Sequence, residues 1–157
     1  MNNQFDDILK RYEAARSAGS SIYLEPDDLT DIAEYYHLHG RLTDAIEAID
    51  LAINMFPGAT QPLTFKARVA ILVNRNAAEA MQWAEKIDDK TDLDYYYIVA
   101  EIMVADQRID EANQYLKAKE NDVCDDDLED YYLDVATLFA DYSCTDITEA
   151  ELCKYIS

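Results

Sequence analysis

The stretch PDDLTDIAEYYHLHGRLTDAIEAIDLAINMFP, residues 26–57, decides the fold of this chain. Its apolar residues recur at three- and four-residue steps in two runs, which are Leu29, Ile32, Ala33 and Tyr36, then Ala45, Ile49, Ala52 and Ile53. Gly40 separates the runs, and Pro57 ends the second one. This spacing predicts two amphipathic helices joined by a tight turn, each with one apolar stripe. Because such a hairpin cannot close a core alone, it needs neighbours of the same kind.

Other parts of the chain repeat this hairpin. Further hairpins are predicted over residues 62–88 and 92–119, and a leading helix over residues 4–17 is expected to cover the open end of the first hairpin. Residues 126–157 are predicted to form a partial repeat or a capping pair of helices, the last one over 146–156. We therefore expect a single domain over residues 1–157.

Short polar segments mark the turns and helix starts. The second hairpin is expected to turn at Asn74-Arg75-Asn76, with Asn76 as an N-cap, and the third at Asp106-Gln107-Arg108. Thr91 followed by Asp94 resembles a capping box. The helices of the second hairpin prefer registers one residue apart, which predicts a shortened loop and leaves the groove positions of this repeat open.

The composition is that of a folded, strongly acidic chain. Half of the 157 residues are hydrophobic, and 33 acidic residues against 13 basic ones give a formal net charge of -20. This charge would repel nucleic acid and anionic membranes and would favour basic partners. The plainer interpretation is a solvated acidic surface that keeps a helical protein soluble.

The cysteine pattern and the N-terminal residues indicate in which cellular compartment the protein is expected. Cys124, Cys144 and Cys153 are odd in number and form no CxxC pair, so neither a disulfide framework nor a zinc knuckle is indicated. The first residues are amphipathic and lack the apolar core of a signal peptide. No apolar run approaches the roughly 20 residues of a membrane span. These features predict a cytoplasmic protein that does not insert into membranes.

No residue pattern indicates catalysis, a metal or a cofactor. His37 and His39 are two positions apart and would not share a helix face, so they make a poor metal pair. The run from Asp125 to Asp127 lacks the glycine and spacing of a calcium loop and fits an acidic helix N-terminus. With three glycines in all, a glycine-rich phosphate loop is absent. We therefore predict a protein that is not an enzyme, with no cofactor and no metal.

Small residues recur with a period near 34. In the first helices they are 34, 33 and 36 positions apart, at Ala33, Ala67, Ala100 and Ala136. In the second helices they are 35 and 32 positions apart, at Ala45, Ala80 and Ala112. With two helices per unit, residues 26–140 resemble the tetratricopeptide repeat (TPR) family. The resemblance implies an all-α, right-handed α-solenoid of about three TPR-like hairpins, with an N-terminal helix and a C-terminal incomplete or capping helix pair.

The resemblance also implies a binding surface, because the first helices of TPR hairpins line a concave groove. The positions carried over from the family are Asp27, Thr30, Glu34, His37, Asp94, Tyr97 and Glu101. Glu34 and Glu101 stand where TPRs that clamp carboxylates have Lys or Asn, so that ligand class is disfavoured. The implied function is a non-enzymatic scaffold whose acidic, tyrosine-containing groove binds a protein or peptide, one of basic character, through charge and cation–π contacts.

Alternatives remain at this stage. The tyrosines, twelve in all, could simply be packing residues with wet hydroxyls. The chain could instead be a structural module that self-associates, as a homodimer, or docks further repeats through its C-terminal end face. An acidic mimic of nucleic acid is a third reading and rests on charge alone.

Overall fold

The computed structural model describes residues 3–142, which form eight α-helices and no strand. The helices are α1 (Asn3–Ala18), α2 (Pro26–Leu38), α3 (Leu42–Met55), α4 (Thr60–Leu72), α5 (Ala77–Glu85), α6 (Leu93–Ala105), α7 (Ile109–Lys119) and α8 (Leu128–Asp141). Two 3-10 turns, Glu120–Asp122 and Asp125–Asp127, connect α7 to α8. The all-α prediction is confirmed. In this part of the chain no helix has the length and apolarity to cross a membrane.

The helices pack as successive hairpins. α2 packs on α3, α4 on α5, and α6 on α7, while the first helices α2, α4, α6 and α8 also pack on one another in that order. Three apolar clusters fill the layers between them: one joins α1 to α3, one joins α4 to α6, and one joins α6 to α8. A solenoid follows, because each hairpin buries its stripe only against the next one.

The periodic alanines lie where helices approach most closely. Ala33 and Ala45 are fully buried in the first hairpin, and the equivalent alanines of the later repeats are also buried. A side chain with no atoms beyond Cβ lets two backbones come together at these crossings. The period seen in the sequence is therefore a packing period.

All three hairpins turn through a residue in the left-handed region. Gly40 (φ +72°), Arg75 (φ +51°) and Gln107 (φ +65°) occupy these places. The first and third turns end in the same way, since the N–H groups of Arg41 and Arg108 donate to carbonyls five residues back at 2.8 Å. Only the first turn uses glycine, the residue that adopts this conformation without strain.

Two local predictions are wrong. The loop of the second hairpin is not shortened, since it spans the four residues 73–76 where the other hairpins use the three residues 39–41 and 106–108. Thr91 does not cap α6, because its hydroxyl donates to Asp89, and Asp92 instead accepts from the N–H of Asp94 at 2.8 Å. The prediction for Asn76 is confirmed, since its side chain accepts from the N–H of Glu79 at 3.0 Å.

Helix α1 covers the open face of the first hairpin. Tyr12 is buried and its ring lies 6.4 Å from that of Tyr36, while Phe5 lies 5.7 Å from Tyr35. At the other end, the buried Tyr131 of α8 donates its hydroxyl to the carbonyl of Leu116 at 2.5 Å. The helix predicted over 146–156 lies outside the described residues.

Candidate functional site

Equivalent positions of neighbouring repeats meet along the first helices. Gln61 of α4 donates to Asp94 of α6 at 2.7 Å, and Arg68 of α4 donates to Glu101 of α6 at 3.1 Å. Each pair is separated by 33 residues, about one repeat. These hydrogen bonds cross from one hairpin to the next. They fix the register of α4 against α6 and bring the polar side chains of the two helices to the same surface.

A cleft of about 320 Å³, which we call the polar cleft, opens between α4, α6 and α8. Its lining is Arg68, Asp94, Tyr97, Glu101, Asp134, Thr137, Leu138, Asp141 and Tyr142. Four carboxylates and one guanidinium therefore face the same space. The arrangement can bind a cation, with tyrosine rings beside it for apolar or cation–π contact.

Two tyrosine hydroxyls hold carboxylates in the polar cleft. Tyr97 donates to Asp134 at 3.0 Å, and Tyr142 donates to Glu101 at 3.2 Å. Burial raises the pKa of both hydroxyls, and their carboxylate partners raise it further. Both tyrosines therefore stay protonated donors at neutral pH, and each keeps an acceptor charge fixed in place.

Six of the seven predicted groove residues divide into three groups. Asp94, Tyr97 and Glu101 lie together in the polar cleft. Glu34 and His37 line a neighbouring pocket that also includes Arg68. Asp27 is exposed on α2 but lines neither space.

Thr30 is the predicted residue whose side chain does not reach the groove surface. It is only 5% exposed, and its hydroxyl donates to the carbonyl of Pro26 at 2.8 Å. A hydroxyl one turn into a helix commonly bonds back in this way, which satisfies it internally. Thr30 therefore supports α2 and offers no polar contact to a ligand.

Sequence reasoning missed Gln61, Arg68, Asp134 and Tyr142. A signal was present for the first two, because Gln61 and Arg68 follow Asp27 and Glu34 by 34 positions. Arg68 matters most, since it places one positive charge inside a groove expected to be wholly acidic. No comparable signal existed for Tyr142, which comes directly after the last residue of α8.

Like charges crowd the exposed face of α2. The pKa of Asp31 is raised by partial burial and by Asp28 and Asp27. The pKa of Glu34 is raised by partial burial and by Asp31, while Arg68 lowers it. Arg68 offsets only part of the negative charge along this helix, and a bound cation would relieve the remaining repulsion.

The pocket that contains Glu34 and His37 has a different character, and we call it the apolar pocket. It measures about 190 Å³ and is lined by Glu34, His37, Leu42, Phe65, Arg68, Val69, Leu72 and Val73. The His37 ring meets the Phe65 ring edge-on at 6.4 Å. Arg68 lines both this pocket and the polar cleft, so the two are adjacent.

Among residues 3–142 no group of three histidine, cysteine or carboxylate side chains is arranged to hold a metal ion. Cys124 is a free, exposed thiol, and the other two cysteines lie beyond Tyr142.

Comparison with known proteins identifies the fold. No protein-family model and no curated protein sequence matches the chain. A solved structure described as "MamA RS-1 ArsTM double mutant" is similar to it, with a TM-score of 0.55, 12% sequence identity, and coverage of 99% of this chain and 94% of that one. At this identity the likeness shows the fold alone, a TPR-like helical solenoid, which confirms the fold class predicted from the sequence.

Proposed function

We propose that this protein is a non-enzymatic scaffold that binds a basic segment of a protein or peptide in its groove. The observation that carries the proposal is the polar cleft, where α6 and α8 direct four carboxylates, Asp94, Glu101, Asp134 and Asp141, into one open space. Tyr97 and Tyr142 fix two of these carboxylates, so less order has to be imposed when a ligand binds.

Electrostatics favour a cationic ligand over other classes. One pair of unit charges at 4 Å gains about 1 kcal/mol in water, and more where the site is partly shielded from solvent. Asp31 and Glu34 extend the negative surface along α2, next to the apolar pocket. The same field opposes nucleic acid and anionic membranes, so we propose neither as a partner.

We also propose a reducing, cytoplasmic location. The free thiol of Cys124 is exposed, and exposed unpaired thiols persist in compartments where glutathione and thioredoxin keep cysteines reduced.

The test is a selection of random 12-residue displayed peptides on the purified protein, followed by fluorescence anisotropy with the enriched peptides. A variant with Glu34→Gln and Asp141→Asn removes two exposed groove charges. A control with Asp110→Asn and Glu129→Gln removes two exposed charges that line neither space. We expect enriched peptides rich in Lys or Arg, whose Kd rises about tenfold for the groove variant and little for the control.

Two results would count against the function. Enrichment of neutral or acidic peptides would show that the groove does not select cations. Equal weakening in both variants would show that binding follows net charge and has no defined site. Rising salt should weaken the specific interaction as well, because exposed charge pairs are screened.

A second candidate function is self-association through the C-terminal end face. Leu133 of α8, the last described helix, is 40% exposed, so a large apolar side chain of this helix is open to a neighbouring molecule. Light scattering of wild type and Leu133→Ser between about 5 and 200 μM tests this function. A dimer mass that Leu133→Ser abolishes would support it, and a monomer throughout would remove it.

A further inference from the structure

The C-terminal ends of α2 and α4 carry an apolar surface that the packing of the described helices leaves open. Leu72, the last residue of α4, is 58% exposed, and Val73, which follows it, is 52% exposed, whereas Leu63, Ala67, Ala70 and Ile71 of the same helix are buried. They form the outer wall of the apolar pocket, and Phe65 and Val69 line its interior. Exposed apolar side chains grouped around a concavity commonly mark a binding surface.

We propose that the apolar pocket takes one large aliphatic or aromatic side chain of the same basic segment that lies in the polar cleft. This inference rests on the proposed function, since it adds an apolar anchor to a ligand already assigned to the groove. The pocket volume of about 190 Å³ suits one such side chain. Anchor residues in closed pockets contribute most of the affinity of many interfaces.

The surroundings of the pocket favour this occupant. Glu34 lines the apolar pocket, and its exposed carboxylate is repelled by Asp31. A basic residue beside the anchor would therefore be attracted to this carboxylate. Arg68 joins the pocket to the polar cleft, so one continuous segment can reach both. A second copy of this chain, with its net charge of -20, would bring like charge to the same rim.

The partner motif therefore has two parts. One or more basic residues face the polar cleft and α2, and one large apolar residue stands at a fixed spacing from them. Arg68, paired with Glu101, lies between the two sites and is the only arginine or lysine among the lining residues of either.

The test compares two protein variants against the peptides selected on the wild-type protein. Leu72→Ser with Val73→Ser removes the outer wall of the pocket, and Tyr23→Ser removes a similarly exposed large side chain that lines neither space. Because all three side chains are exposed, the fold should survive, which circular dichroism checks. Each selected peptide is measured by fluorescence anisotropy before and after its large apolar residue is replaced by Ala.

The proposal makes a coupled expectation. On the wild type and on Tyr23→Ser, the Ala replacement in the peptide should raise Kd by about tenfold or more, the low end for burying one such side chain. On the Leu72→Ser, Val73→Ser variant, the same replacement should change Kd by less than about threefold, because the pocket that received the side chain is gone.

Other outcomes overturn the inference in distinguishable ways. Basic peptides without a recurring apolar residue, or an Ala effect that is equal on all three proteins, would rule out the anchor and leave the proposed binding of basic segments in the groove intact. A failure to enrich any basic peptide would remove the groove function together with the anchor. A wild-type dimer that becomes monomeric in the Leu72→Ser, Val73→Ser variant would show that a second copy fills the pocket.

Discussion

Arg68→Gln is the substitution that separates stability from binding in this groove. Arg68 pairs with Glu101 at 3.1 Å and lies near enough to Glu34 to lower its pKa. The change removes one positive charge from a cleft lined by four carboxylates. We expect the two consequences to have opposite signs: the fold loses stability, and a basic ligand binds more tightly.

The loss of stability follows from how the pair is buried. The Arg68 side chain is 47% exposed, which alone would make the pair worth at most about 1 kcal/mol. The Glu101 side chain is only 13% exposed, and without the arginine its remaining described bond is the one from Tyr142. A partly buried carboxylate that loses a charged donor costs about 1–3 kcal/mol. We therefore expect a loss of roughly 1–2 kcal/mol, a fall in Tm of about 2–8 °C.

The gain in affinity follows from Coulomb's law. A cationic residue in the polar cleft would sit beside the Arg68 guanidinium, and repulsion across about 5–8 Å of water costs roughly 0.5–1 kcal/mol. Removing that repulsion should lower the Kd of a selected basic peptide by about two- to fivefold. The gain should shrink as salt is raised.

The assay pairs thermal unfolding by circular dichroism with peptide anisotropy for wild type, Arg68→Gln and Arg11→Gln. Arg11 is exposed on α1 and lines neither the polar cleft nor the apolar pocket, so its variant removes the same charge elsewhere. Weaker peptide binding by Arg68→Gln would refute the reasoning, because Arg68 would then contact the ligand itself. An equal change in both variants would mean that net charge alone sets the affinity.

Three further predictions concern the fold. Tyr36 is 3% exposed, and burial raises its pKa to about 12. Its protonated hydroxyl therefore stabilises the fold fully below pH 10, and this contribution is lost as pH rises toward 12. Urea unfolding should show that the free energy of unfolding falls by about 1.4 kcal/mol per pH unit from this group between pH 10 and 12. Ala33→Leu should cost about 1–3 kcal/mol by overpacking the crossing of α2 with α3, whereas Ala118→Leu on the exposed face of α7 should cost little in the same assay. Gly40→Ala should cost about 1–2 kcal/mol at φ +72°, and Gln107→Gly should gain about 0.5–1 kcal/mol at φ +65°, both by thermal unfolding.

Each of these has a result that would contradict it. Constant stability between pH 9 and 11.5 would mean that the tyrosines titrate normally. Equal effects of leucine at positions 33 and 118 would deny a close helix crossing. A loss of stability on Gln107→Gly would show that contacts of the glutamine side chain stabilise the turn by more than its left-handed backbone conformation destabilises it.

The hairpins and their stacking could be predicted because they depend on spacing along the chain. A stripe at three- and four-residue steps specifies an amphipathic helix, and alanines about 34 positions apart specify where helices cross. Local hydrogen bonding was harder to foresee. The Thr91 hydroxyl was expected to cap α6 and instead bonds to Asp89, because several short polar side chains compete for the same few N–H groups there.

The site was predicted only in part. The resemblance to the TPR family pointed to Asp94, Tyr97 and Glu101, and the structure brings these three together in the polar cleft. The sequence did not show that α4 turns Arg68 toward Glu101, because the two helices of that repeat prefer registers one residue apart and so left its groove positions open. It also did not show that Thr30 is satisfied by its own helix.

The sequence by itself determined the helical class, the repeat and the acidic character, because these follow from local periodicity and composition. The tertiary structure alone decided which charges face each other across repeats and which apolar side chains remain uncovered. Those properties depend on contacts such as Arg68 with Glu101, between residues 33 positions apart. Such contacts form only when one hairpin packs on the next, and a rotation of α4 about its own axis would replace them without changing the pattern of its apolar stripe.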